Sequence, residues 1–159
     1  MKKLLLAMFV ALLMVGCGSP DLDDKETLDE IIAEAIDMDK LQGRGQKDEK
    51  LLYAPNEQTP YTGWAYEIGR RGNGQKDILL QLKDGKPDGL LAMFHENGQK
   101  EAEINLKDGK LMSAKVWKPN GERCPATNVK DGNGVWVYYN EDGTVERRVT
   151  YREGEIVSD

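Results

Sequence analysis

The sequence predicts a mainly β protein, a single-layer antiparallel meander of repeated hairpins, preceded by a short α-helix and a flexible tether. Three observations carry this reading. Asn73-Gly74, Asn97-Gly98, Asn120-Gly121 and Asp142-Gly143 recur at spacings of 24, 23 and 22 residues, and repetition at such a period marks an array of supersecondary units. Each is followed eleven residues later by a second pair, namely Asp84-Gly85, Asp108-Gly109, Asp131-Gly132 and Glu153-Gly154. Asn-Gly and Asp-Gly are the strongest short hairpin signals because a type I′ turn needs positive φ at both central residues, so type I′ turns are expected throughout. Between the turns the side chains alternate with the period of two of a strand. Leu80, Ile104, Thr127 and Val149, with Leu82, Leu106, Val129 and Tyr151 two residues on, share one apolar face; Gln81, Asn105, Asn128 and Thr150 belong to the opposite, wetter face.

Length and charge set the outer limits. The 159 residues are 39% hydrophobic, which fits one modest domain with appended segments. The 17 glycines are not spaced every third residue, which excludes collagen and leaves turns as their use. A net charge of −6 argues against nucleic acid as a partner, since a surface that neutralises phosphates must be basic.

The elements follow in order. Met1-Lys2-Lys3 precedes a run without charge from Leu4 to Val15. That run is shorter than the roughly 20 apolar residues a membrane-spanning helix needs, so residues 1–16 read as an export signal. Its end, Leu13-Met14-Val15-Gly16-Cys17, resembles the lipobox of bacterial lipoproteins. The resemblance implies cleavage before Cys17 and a lipid on its sulfur; the alternative is a plain secretory signal. Two or three acyl chains, at about 0.8 kcal/mol per buried methylene, would hold the protein on a membrane stably. Gly18 stands where the family's inner-membrane retention signal has Asp, which favours the outer membrane in a cell with two. Loss of Lys2 and Lys3 leaves 20 basic against 28 acidic residues, and only Cys124 as a free thiol, so no intramolecular disulfide and no Cys-based metal site is expected.

Residues 17–26, rich in Asp21, Asp23 and Asp24, read as lipid anchor and acidic tether. In the 27–48 segment, Thr27-Leu28-Asp29-Glu30 matches a capping box, and Leu28, Ile31, Ile32, Ala35 and Ile36 form one helical stripe, so a helix from Leu28 to Lys40 is expected. The stripe either docks on the domain or binds a partner. Residues 49–159 form the repeat sheet, with Ile68, Phe94, Trp117 and Tyr139 at equivalent positions; this aromatic column is either core or a stacking surface for a ligand.

Units of about 23 residues that read aromatic, acidic, Asn-Gly-Gln-Lys, alternating strand, Lys-Asp-Gly-Lys resemble the MORN-repeat variant proteins of bacteria. Phe94-His95-Glu96-Asn97-Gly98-Gln99-Lys100 and Lys107-Asp108-Gly109-Lys110 carry the match best, within a region from Tyr61 to Val157. The resemblance implies the repeat architecture and a binding role with no defined catalytic residues. Some members are labelled antitoxins, and MORN proteins are linked to scaffolding and membrane lipids. Repeat three departs most, through Pro119, Pro125 and Met112-Ser113, and irregular pairing is expected there.

Chemistry-bearing patterns are sparse. His95, the single histidine, has Lys118 and Asn140 as its equivalents, which marks a solvated hairpin position rather than a catalytic base. Gly69 to Lys76 lacks the Lys-Ser/Thr ending of a phosphate loop, and Asn140-Glu141-Asp142-Gly143 lacks the remaining ligands of a calcium loop. No catalytic residue, metal or cofactor is expected.

Two features remain. Lys83, Lys107, Lys130 and Arg152 all stand nine residues after a turn glycine, which forms a ladder of cations at roughly 10 Å spacing, with Lys76, Lys100 and Arg123 as a second ladder. The first ladder engages an acidic partner or phosphates, or else it balances Asp84, Asp108, Asp131 and Glu153 and guards against strand-on-strand aggregation. Cys124 aligns with Asp77, Glu101 and Glu146 on the polar face, so it is expected to be partly exposed and open to an intermolecular disulfide, unless the following Pro125 turns it inward. The expected function is a lipid-anchored, exported, non-catalytic binding or scaffold module for a protein partner. The alternatives are an immunity-type inhibitor of a cognate toxin outside the cytoplasm and a binder of anionic lipid or glycan.

Overall fold

A computed structural model describes residues 20–46, 49–68 and 76–158. The export signal, Cys17, the Asn73-Gly74 turn and the glycine-rich segment before it lie outside the described residues, as do the side chains of Ile68 and Lys76. The described chain is mainly β. In order it forms α1 (Lys25–Glu34), β1 (Ile36–Asp37), a 3₁₀ turn (Met38–Lys40), β2 (Gln42–Arg44), β3 (Leu51–Tyr53), β4 (Gly63–Ile68), β5 (Lys76–Lys83), β6 (Lys86–Phe94), β7 (Lys100–Lys107), β8 (Lys110–Val116), β9 (Gly134–Tyr139), β10 (Val145–Arg152) and β11 (Glu155–Ser158).

The helix starts earlier and ends sooner than its stripe predicts. Asp24, not Thr27, is the N-cap: its carboxylate accepts from the Thr27 backbone N–H at 2.8 Å and from the Thr27 hydroxyl at 2.6 Å, which satisfies donors the first turn leaves open. The expected helix to Lys40 stops at Ala35 because Ile36 and Asp37 turn extended and pair in parallel with Ala65 and Tyr66 of β4. A strand partner outweighs helical periodicity here. Leu28, Ile31, Ile32 and Ala35 pack over Leu79, Leu90 and Ala92, so the stripe docks on the chain's own sheet. The acidic tether is correspondingly shorter than composition suggests: Leu22 is only 3% exposed and belongs to the same cluster.

β4 to β8 pair antiparallel in chain order with β1 at one edge, while β9 to β11 form a second antiparallel sheet and β2–β3 a small third one. Register sorts the side chains onto two faces. Ala65, Leu80, Leu91, Ile104 and Ala114 are successive cross-strand partners on one face. At the β4–β6 end this face is covered by Met38, Leu41, Leu52 and Tyr61. At the other end Ile104, Leu111, Ala114 and Val116 share a core with Trp136 and Val137 of β9. The expected apolar rows are there: Leu80, Leu82, Ile104, Val129 and Val149 are buried. The opposite face is not uniformly wet, since Leu79, Leu90 and Ala92 are buried on it beneath α1. The adjacent apolar runs Ile78-Leu79-Leu80 and Leu90-Leu91-Ala92 are the signal for this, because a strand covered on both faces loses its alternation.

Repeat three breaks the ladder where expected, at the turn formed by Pro125 and Ala126. Cys124 N–H still donates to Val116 at 2.8 Å, but the next backbone bond to β8 is from Ala114 to Val129, at 3.4 Å. Between them the chain leaves the ladder, and Asn128 N–H donates to Val135 of β9 instead. Pro119 is harmless: it sits in a turn, at a position that suits its fixed φ.

Candidate functional site

The seven described turns of the repeat divide into two classes, one along each edge of the strands. Asp84-Gly85, Asp108-Gly109, Asp131-Gly132 and Glu153-Gly154 have positive φ at both residues, 49° to 52° at the acidic residue and 76° to 79° at the glycine, which is the expected type I′ geometry. The three Asn-Gly and Asp-Gly turns at the other edge are different. There only Gly98, Gly121 and Gly143 have positive φ. Each glycine N–H donates three residues back, to His95, Lys118 and Asn140, and those residues' N–H groups donate to Gln99, Glu122 and Thr144. This is a type I turn closed by a glycine bulge. The side chains of Asn97, Asn120 and Asp142 accept from the N–H two residues on, at 2.9–3.0 Å, so here Asn and Asp serve as acceptors.

Both edges are stitched from one repeat to the next. At the type I′ edge Gly85 N–H donates to Tyr61, Gly109 to Pro87, Gly132 to Met112 and Gly154 to Gly132, all at 2.8–3.0 Å. Side chains add Asp84 N–H to Thr62 Oγ1, Asp108 N–H to Asp88 and Glu153 N–H to Asn133. At the other edge His95 Nε2 donates to the Trp117 carbonyl at 3.0 Å and Asn97 Nδ2 to that of Pro119 at 2.7 Å. His95 is therefore half-buried and bonded, not a solvated turn residue.

Lys83, Lys107, Lys130 and Arg152 flank the type I′ turns, on the wetter side with Gln81, Asn105, Asn128 and Thr150, and all four are exposed. Among the described residues no salt bridge reaches any of them, whereas other cations are engaged: Lys110 with Glu155, Lys115 with Glu103, Lys118 with Glu122. The polar row beside them is partly structural. Gln81 Oε1 accepts from Leu90 N–H and Asn128 Oδ1 from Val135 N–H, both at 2.8 Å, next to the positive-φ glycines Gly89 and Gly134. In repeat two, where Ser113 stands in that place, Asn105 donates to its hydroxyl at 3.0 Å.

In the second ladder Arg123 is exposed and Lys100 is drawn inward, while the Lys76 side chain lies outside the described residues. The Lys100 side chain is only 8% exposed; its ammonium is paired with Asp23 and Glu103 and sits 5.0 Å from the Trp117 ring centroid. Burial pulls its pKa down, but the two carboxylates outweigh this and hold it above the ordinary value. Glu103 is held below its ordinary value: burial raises it, and Lys115 and Lys100 more than offset that. Asp23 shows no sign of this role in the sequence, since its partner is 77 residues away.

The aromatic column is also divided. Phe94 packs with the cluster under α1, Trp117 lies beside Lys100, and Tyr139 packs with the core of β7 to β9. These three rings are not one stacking surface. The exposed placement expected for Cys124 is overturned: it is 2% exposed, with Sγ 2.7 Å from the Tyr139 hydroxyl and 3.8 Å from that of Thr127. A turn at Pro125 and Ala126 stands where the strand was expected, and the thiol faces inward, which removes the accessibility an intermolecular disulfide needs. Burial raises the thiol pKa, but the hydrogen bonds from Tyr139 and Thr127 leave it below the ordinary value.

Among the described residues no three His, Cys, Asp or Glu side chains converge as metal ligands, and no helix is long and apolar enough to cross a membrane. No family model matches the chain, and neither does any curated protein or solved structure.

Proposed function

We propose that this protein is an exported lipoprotein, anchored by acyl chains on Cys17, whose MORN-like repeated hairpin meander is a non-catalytic binding module for an acidic protein partner. The observation that carries this reading is the row Lys83, Lys107, Lys130 and Arg152: one exposed cation per repeat, none engaged in a salt bridge among the described residues, each beside a turn bonded to its neighbour in the array. A partner meeting such a row gains similar contacts from every unit, which is how repeat surfaces bind. Charge complementarity of this kind steers encounter and is weakened by salt.

Two measurements test it. Cells producing the full chain or Cys17→Ser are fed a labelled fatty acid; label in the membrane fraction of the wild type alone is expected, and label in neither overturns the anchor. Cross-linking in intact cells then compares the wild type with Lys83→Glu/Lys107→Glu/Lys130→Glu. The triple variant is expected to lose the cross-linked species and to keep its stability within about 0.5 kcal/mol per site, as exposed, unpaired positions do. Unchanged cross-linking overturns the basic row as the binding surface. Salt-sensitive binding to anionic vesicles, lost in the same variant, would favour lipid over protein.

A further inference from the structure

The residues before α1 look in sequence like a free acidic tether, yet they occupy a formed site on the sheet. Leu22 is buried against Leu79, Leu90 and Ala92. Next to it Asp23 pairs with Lys100, whose ammonium also meets Glu103 at 3.1 Å and lies over Trp117. Glu103 is held in turn by Lys115 at 2.8 Å. Asp24 then caps α1. An apolar socket and a nearly buried cation thus grip two consecutive residues of this chain. Behind them α1 has no buried residue, only half-buried Thr27, Leu28, Ile31 and Ile32, with half-buried Ala35 at its C-cap, so the helix adds modest burial of its own. A unit with few buried side chains laid over one face of a well-bonded sheet is the kind that opens locally.

We propose that residues 20–24 are a releasable strap that sets how far the domain can stand from the membrane that anchors it. The proposal rests on lipid attachment at Cys17. With Leu22 docked, five residue steps separate it from Cys17, a reach of about 18 Å at most. With the strap released and α1 unravelled, the first fixed point becomes Ile36 of β1, paired with β4, and the reach grows to about 68 Å at most. The same repeat surface is then held close to its own bilayer in one state and offered to more distant partners in the other. Any segment carrying the same chemistry, a leucine-sized side chain followed by a carboxylate, competes for the socket and favours the extended state, because it binds only the open form.

Hydrogen exchange on the purified full chain, and energy transfer in vesicles, test this together. Leu22→Asp and Lys100→Met, with Asp23→Asn as the milder variant, are expected to speed exchange of the amides in residues 22–34 at least tenfold while those of β7 keep their protection. If the 22–34 amides exchange only together with β7 in every protein, the strap is part of the global unit and the proposal is overturned. For reach, the lipidated chain carries a donor at Lys86→Cys in a Cys124→Ser background, in phosphatidylethanolamine–phosphatidylglycerol vesicles with an acceptor on the headgroups. Transfer is expected to fall in Leu22→Asp. A fatty-acid-labelled protein whose transfer is unchanged overturns the strap alone; a protein that takes up no label overturns the reach limit together with the anchor.

Discussion

The Tyr139 hydroxyl lies 2.7 Å from Cys124 Sγ, across fifteen residues of chain and the irregular segment at Pro125. It gives a 2% exposed thiol its nearest polar partner. The folded protein is therefore expected to resist a thiol reagent and to react at the rate at which it unfolds. Tyr139→Phe removes this bond, leaves the thiol its contacts with Thr127 and Ala126, and should cost about 1 kcal/mol. Stoichiometric labelling under native conditions, before any loss of far-ultraviolet dichroism, would overturn the buried placement.

Stability should decline on both sides of neutrality, for separate reasons. Glu103 is depressed below its ordinary 4.5, so its contribution is present above that pH and is lost as pH falls through its lower folded value. Lys100 is raised above 10.5, so its contribution is complete below that and is lost as pH rises through its higher folded value. Burial and then Tyr151 push Tyr138 up to about 12; the Cys124 hydrogen bond and then burial do the same for Tyr139. Both tyrosines add to the alkaline decline. Urea unfolding at several pH values checks the two limbs, and a 295 nm titration should show two tyrosines ionising last.

Glycine substitutions should separate by surroundings. At Gly134, φ is 137° and an added Cβ would lie 2.6 Å from the Asn128 carbonyl oxygen; Gly134→Ala is expected to cost about 3 kcal/mol from clash and strain combined. Gly98 has φ of 80° with nothing within 4 Å, so Gly98→Ala should cost about 1 kcal/mol from the left-handed backbone alone. Chemical denaturation gives the order, and equal costs would contradict it.

Asn97 and Asn120 look interchangeable in the repeat but are not. Both accept from the N–H two residues on, yet Asn97 also donates to the Pro119 carbonyl of the next repeat. Asn97→Ala should therefore destabilise more than Asn120→Ala, by about 1 kcal/mol. Thermal unfolding of the two variants measures the difference.

Much of this was legible because it is local. A turn needs only four residues, so Asn-Gly, Asp-Gly and Glu-Gly located the seven described turns of the repeat, and period-two alternation placed Leu80, Ile104 and Val149 inside. The class of each turn was less legible: Asn tolerates both geometries, and the register across the hairpin decides between them. Lys83, Lys107, Lys130 and Arg152 stayed on the surface as their spacing implied. In the second ladder Arg123 is exposed as well, whereas Lys100 met Asp23 and Trp117 and its side chain is nearly buried.

The turn positions, the apolar rows and the exposed basic row could be read from the chain alone, because each rests on short-range stereochemistry or on side-chain periodicity. Only the tertiary structure decided where α1 begins and stops, that Leu22 and Asp23 dock, that Phe94, Trp117 and Tyr139 part company, and that Cys124 faces inward. Those outcomes turn on partners tens of residues away, and burial and pairing depend on what the fold brings into contact.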